Sequence, residues 1–174
     1  GVTLFKIDKG LDTGDIVGVV ETMIEPNENF GRLLERLTFI GTSLLGQELP
    51  RLLTGVAKLA PQTGEVTLAP KIERSMAKLS VADDAETALN KVLAFNPEPM
   101  AWLEFNGEPL RVLEAIISTQ SIRAGALEPA TRGVLVGFAN NSALELITLQ
   151  PAGKPVMKAT DWFRGTKPEE RTIS

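Results

Sequence analysis

"MAWLEFNGEPLRVLEAII", residues 100–117, decides the fold of the larger part of this chain. Two apolar runs, Met100 to Phe105 and Leu110 to Ile117, flank Asn106-Gly107. Asn and Gly both tolerate positive φ, which the tightest hairpin turns require, so the stretch reads as two antiparallel strands. The pattern recurs downstream, where Asn140-Asn141 separates Gly133 to Ala139 from Leu144 to Gln150. One helix precedes these strands. Asp83 and Asp84 open it, Ala88, Leu89, Val92 and Leu93 share one face of Glu86 to Phe95, and Pro97 and Pro99 end it. Short antiparallel strands with one helix predict a small β-barrel over residues 71–174. Trp102 begins an apolar strand and is assigned to its core.

Upstream the pattern changes. Val2, Leu4, Phe5 and Ile7 give a strand, residues 8–14 a turn, and Ile16 to Ile24 a second strand. Asn27 or Asn29 is placed to cap a helix. Its apolar stripe runs through Phe30, Leu33, Leu34, Leu37, Ile40, Leu44, Leu45, Leu49, Leu52 and Leu53, with a bend or break expected near Pro50 and a stop at Gly55. Two strands and a helix are too little for a stable domain. Residues 1–55 therefore read as the truncated end of an α/β domain, and residues 56–70, with two prolines and a glycine, as a linker. The fold class expected for the whole is α+β.

Composition narrows the chemistry. The chain has 174 residues, 43% apolar and 23% charged, with a net charge of −4. It contains neither Cys nor His, which excludes disulfides, a thiolate nucleophile and, in practice, a zinc site. Its longest apolar runs are too short to span a membrane. What remains is carboxylate chemistry. In "KGLDTGDIV", residues 9–17, Gly10 and Gly14 flank Asp12, with Asp15 following. A carboxylate in such a turn can orient a water or accept a proton, or it can simply bond its own backbone.

Three motifs occur in order: "GLDTGDI" at 10–16, "AFNPEPMAW" at 94–102 and "LQPAGKPVM" at 149–157, with "DWFRG" closing at 161–165. Together they resemble the methionyl-tRNA formyltransferase family over nearly the whole chain. The resemblance implies a Rossmann-like catalytic domain, of which residues 1–55 match only the end, and a C-terminal domain like an OB-fold, residues 71–174. It implies formyl transfer from 10-formyltetrahydrofolate to the amino group of methionyl-initiator-tRNA, in the cytoplasm. Asp12 matches the family's catalytic Asp, and Leu11 with Asp12 would border the folate site. The family's Asn- and His-bearing motif, N-P-H-x-S-L-L-P, does not occur here, so the chain alone is expected to be inactive. The complete enzyme is expected to be a monomer. This chain by itself is expected to self-associate through the helix face of residues 28–54. Related sugar-amine or dehydrogenase-linked formyltransferases are the alternative, as is a barrel that binds a protein partner.

The resemblance also implies tRNA as a partner of the second part. Residues 56–174 hold 13 basic and 14 acidic residues, so overall charge does not mark a nucleic-acid binder. Two basic clusters are the candidates: Lys71, Arg74 and Lys78 after the linker, and Lys154, Lys158, Arg164, Lys167 and Arg171 near the end. Among these Lys154, in a Pro-Gly turn, is the best placed to reach a phosphate.

Overall fold

In a computed structural model, which describes residues 1–166 and 173, the chain folds as two units, Gly1–Pro70 and Lys71–Ser174. In the first, β1 (Val2–Phe5) and β2 (Ile16–Val20) form an antiparallel hairpin, Val2 opposite Val20 and Phe5 opposite Ile16. Helix α1 (Phe30–Leu53) packs on both strands and buries Leu44. Asn29 caps α1: its side-chain oxygen accepts from the Arg32 N–H at 3.0 Å. The break expected near Pro50 does not occur. Pro50 lies in the last turn, where it forgoes the single bond its N–H would make to the Gly46 carbonyl, and α1 runs on to Leu53. Gly55, at φ +73°, follows the Thr54 cap. Much of the apolar stripe stays uncovered, with Phe39 75% and Leu34 49% exposed.

A charge cluster fixes the entry to α1. The Arg36 guanidinium grips Glu28 with both arms, at 2.9 and 2.7 Å, and donates to the Met23 carbonyl at 2.6 Å and to the Thr22 hydroxyl. The Glu25 N–H donates to the same carboxylate at 3.0 Å. These bonds hold the Glu28 carboxyl down at about 2, the Arg36 hydrogen bond contributing most.

The second unit is a six-stranded antiparallel sheet in the order β3-β4-β7-β6-β5, with β8 also paired to β7. Its strands are β3 (Ala101–Phe105), β4 (Glu108–Ser118), β5 (Leu127–Pro129), β6 (Val134–Gly137), β7 (Ala143–Gln150) and β8 (Met157–Lys158). Helix α2 (Ala85–Phe95), capped by Asp84, packs on β3, β4 and β7, and α3 (Ala159–Arg164) on β6, β7 and β8. The strands β5 and β8 and the helix α3 have no counterpart in the sequence reading, because each is too short to show a period. Both expected turns form: Asn106 and Gly107 have φ of 52° and 77°, Asn140 and Asn141 59° and 56°. Among the described residues no ladder joins the edge strands β3 and β5, so a closed barrel is not present in the pairing. Among the described residues, Ile173 reaches into that gap. Ile173 donates its N–H to the Gly125 carbonyl at 3.0 Å and lies opposite Phe105 in an isolated bridge.

Alternation sorts the strand residues. Leu103, Leu110, Val112, Val136, Leu146 and Leu149 are fully or almost fully buried and meet Val92 of α2 and Phe163 of α3. The β4–β7 register slips on either side of Glu114: β7 takes an extra residue at Ile147, and β4 one at Leu113. Buried Asn96, from the "AFNPEPMAW" motif, holds this bulge. Its amide nitrogen donates to the carbonyls of Val112 and Leu113, both at 3.0 Å.

Two outcomes follow. Asn96→Ala leaves those carbonyls without their donor and should destabilise the second unit by about 1–3 kcal/mol. Asn96→Asp, which faces a carboxylate to two carbonyls, should cost more at pH 7. Urea unfolding followed by tryptophan fluorescence reads this, since Trp102 and Trp162 both lie in the second unit. In the first unit, a carboxyl held below its ordinary 4.5 stabilises the fold above that pH, and the contribution disappears as pH falls toward 2. Amide exchange across α1 should therefore accelerate between pH 4.5 and 2 more than intrinsic exchange accounts for. Glu28→Gln should remove that extra pH dependence.

Candidate functional site

The Asp12 turn is built by its neighbours. Asp8 organises it: its carboxylate accepts from the Gly10 N–H at 2.9 Å and from the Thr13 hydroxyl at 2.6 Å, which lowers its pKa, Thr13 contributing most. Lys6 N–H donates to the Asp15 carbonyl at 3.0 Å and closes the base. Gly14 is buried so tightly that an added Cβ would fall 1.7 Å from the Lys6 carbonyl oxygen, so no other residue fits without opening the hairpin. Bonding to the turn backbone, the bland role open to Asp12, thus belongs to Asp8. Among the described residues the Asp12 carboxylate accepts no hydrogen bond, and Asp12 sits at φ +53°.

The segment expected to be a linker docks on this turn at its start. Ala60 and Ile16 exchange two backbone hydrogen bonds, at 2.7 and 3.0 Å. The Gln62 side-chain nitrogen donates to the carbonyls of Asp12, at 2.8 Å, and Gly14, at 2.7 Å. Leu11, Asp12 and Thr13 on one side and residues 62–69 on the other enclose a groove of about 580 Å³. Its lining includes two carboxylates, Asp12 and Glu65, and no Lys or Arg. It suits an amine or the donor-rich edge of a heterocycle better than a phosphate.

The second unit carries the cations on the outer face of its sheet. Trp102 is not in the core. Ala101 and Leu103 point inward, so alternation turns Trp102 outward, half-buried. Arg74 and Lys78 lie over its ring, 5.8 and 5.2 Å from the centroid, and its indole N–H donates to the Arg74 carbonyl at 3.1 Å. Register then sets a row across the strands: Lys78 opposite Trp102, Trp102 opposite Arg111, Arg111 opposite Gln150. Arg111 donates to the Gln150 side-chain oxygen, and the Gln150 amide nitrogen to the Lys154 carbonyl, each at 3.1 Å. Lys154 borders a cavity of about 370 Å³ with Arg111, and one of about 210 Å³ with Phe105 and Trp162. Phe105 itself packs inward, edge-on to Trp162 at 4.9 Å.

Of the sequence-derived cations, the sheet gathers Arg74, Lys78 and Lys154. Lys158 lies opposite Thr148, itself opposite Glu114, so it shares the outer face one row along. Lys78 is paired with Glu104 at 2.8 Å, and Arg164 is turned to Asp161 at 3.2 Å. Lys71 is exposed at the start of the unit; Lys167 and Arg171 lie outside the described residues. Arg111 and Gln62 had no place in the sequence reading. Arg111 was nonetheless within reach, because a two-residue turn at Asn106-Gly107 fixes the Trp102–Arg111 pair.

Comparison with known proteins agrees with this architecture. The family model described as "Formyl transferase, C-terminal domain" matches residues 71–167, and the chain belongs to this formyltransferase family. A methionyl-tRNA formyltransferase from Pseudarthrobacter chlorophenolicus is 36% identical over 167 residues, covering 95% of this chain and 54% of the relative. The chain thus spans about half the length of the curated relatives it matches. HypX from Aquifex aeolicus, solved with tetrahydrofolic acid, shares the fold with a TM-score of 0.72 at 20% identity, over 94% of this chain and 29% of HypX. The sugar 3N-formyl transferase WlaRD superposes with a TM-score of 0.56 at 18% identity, over 88% of this chain and 55% of that protein. Among the described residues no helix is long and apolar enough to cross a membrane.

Proposed function

We propose that this chain works as part of a longer methionyl-tRNA formyltransferase, a cytoplasmic enzyme of translation initiation. The first unit would be the end of its Rossmann-like catalytic domain, and the exposed stripe of α1 would meet the rest of that domain or, without it, a second copy. The second unit would bind the acceptor RNA, with Ile173 completing an OB-like closure. The likeness to methionyl-tRNA formyltransferases and the free carboxylate of Asp12 in a cation-free groove support this reading.

The chemistry assigns Asp12 one task. The amine of methionyl-tRNA attacks the formyl carbon of 10-formyltetrahydrofolate, forming a C–N bond. The bond from that carbon to N10 breaks, and N10 takes a proton as tetrahydrofolate leaves. Asp12, with Leu11 beside it at the folate, accepts the proton the amine sheds. The oxyanion formed on the way needs a donor or cation. No cation lines the groove; we assign the stabilising group to the rest of the enzyme and expect this chain alone to transfer no formyl group.

The outer sheet face supplies the RNA contact. Arg74, Lys78 and Arg111 stand beside Trp102, and Lys154 and Lys158 lie farther along the same face, with Glu73, Glu104 and Glu114 as carboxylates among them, a local basic surplus in a chain of net charge −4. Lys71, Lys78 and Arg164 are secondary contributors. Phosphate contacts without base readout give binding near the non-specific range, a Kd of about 10⁻⁴ to 10⁻⁶ M at physiological salt. Arg111→Glu and Lys154→Glu should each weaken every tRNA alike and reduce the salt slope by about 1. Titration of the chain with initiator and elongator tRNA at two salt concentrations measures both. Affinity that ignores salt and survives both reversals would remove the RNA role and favour a protein partner.

A further inference from the structure

We infer that Gln62 is a positioning residue for the formyl-transfer step, its side-chain amide clamping the turn that carries Asp12. The inference rests on the role proposed above for Asp12. Gln62 is fifty residues from Asp12 in sequence and exposed, so it is not placed there by core packing. It directs its amide nitrogen, with two hydrogens, at two carbonyls of one turn, those of Asp12 and Gly14. A neutral side-chain amide is well suited to this: it donates twice from one atom, whereas a carboxylate offers only acceptors.

The rest of the turn is held differently. Asp8 ties Gly10 and Thr13, Lys6 ties Asp15, and Gly14 fills the space against Lys6. None of these reaches Asp12. Its bond from Gln62 is the one hydrogen bond to any Asp12 atom among the described residues. Asp12 also holds a φ of +53°, in the left-handed region that Asp tolerates better than most L residues but that is still less favourable than the ordinary range. Released from Gln62, the peptide after Asp12 can rotate toward the ordinary range, and the carboxylate moves with it. The Ile16–Ala60 bridge, two residues before Gln62, brings the clamp into place and does not depend on it.

The test uses the complete formyltransferase polypeptide, with formyl-folate and methionyl-tRNA as substrates. Gln62→Ala deletes both bonds. Gln62→Glu keeps the shape and sets a carboxylate against two carbonyls. Each should lower kcat by about 10²-fold, the cost of a catalytic group displaced by about 1 Å, with KM for tRNA within about twofold. Because Gln62 acts through Asp12, the same substitutions in an Asp12→Asn background, followed by single turnover with enzyme in excess, should change the residual rate less than twofold. A kcat unchanged in either Gln62 variant overturns the inference, as does a loss that persists undiminished beside Asp12→Asn. Asp12→Asn at the wild-type rate would instead overturn the reading of Asp12 itself.

Discussion

The pairing of β4 with β7 is the interaction on which the second unit depends. These are its two longest strands, of 11 and 8 residues, and every other strand of the sheet joins one of them directly or through a neighbour. A strand's side chains alternate with a period of two, so one register decides both faces at once. With Val112 opposite Leu149 the core closes on α2 and α3. With Arg111 opposite Gln150 the outer face receives a cation beside Trp102. A slip by one residue would bury the guanidinium and expose the leucines. The bulge at Leu113 puts Ala115 back on the inner face, and Asn96 supplies the donor that its two carbonyls need. The Asn-Pro motif thus fastens the sheet.

The first unit solves a different problem with less material. Its core is small, with Val17 and Leu44 its buried large apolar residues among those described. Polar fastenings carry much of its geometry. Arg36 gathers Thr22, Met23 and Glu28 before α1, Asp8 shapes the turn, and Gln62 brings the following segment onto it. Such hydrogen bonds to charged groups depend on protonation, and the cluster around Glu28 loses its hold in acid. The outcome is a turn in which Asp8 does the structural work and Asp12 is left available. Two carboxylates four residues apart have opposite assignments because one meets donors and the other does not.

How much of this was legible beforehand varied with the range of the interaction. Asn106-Gly107, the Asn29 and Asp84 caps and the α2 face are local, and local propensity sets them. Trp102 reads as core because it is a large aromatic in an apolar run, yet with Ala101 and Leu103 facing inward on either side it takes the opposite face. Of the bend or break expected at Pro50, the break does not form, because the proline costs α1 a single N–H bond in its final turn. Nothing in the sequence announced Gln62: its partners are carbonyls, which every residue carries, fifty positions away. The strands of two or three residues, β5 and β8, exist because neighbouring strands recruit them, and no pattern of their own marks them. Family resemblance, in contrast, pointed at Asp12 through its motif, and the turn then showed why that carboxylate is free.

The central claim is that the outer face around Trp102 is where this chain meets RNA. The two tryptophan indole N–H signals separate that face from the core, since Trp102 lies on the outer row and Trp162 is only 7% exposed. Nitrogen–proton correlation spectra of the chain, recorded during titration with tRNA and assigned with Trp162→Phe, read both in one experiment. The account predicts that the Trp102 signal shifts or broadens progressively, reverses when salt is added, and leaves Trp162 in place. A Trp102 signal that stays fixed while tRNA saturates the chain would contradict it.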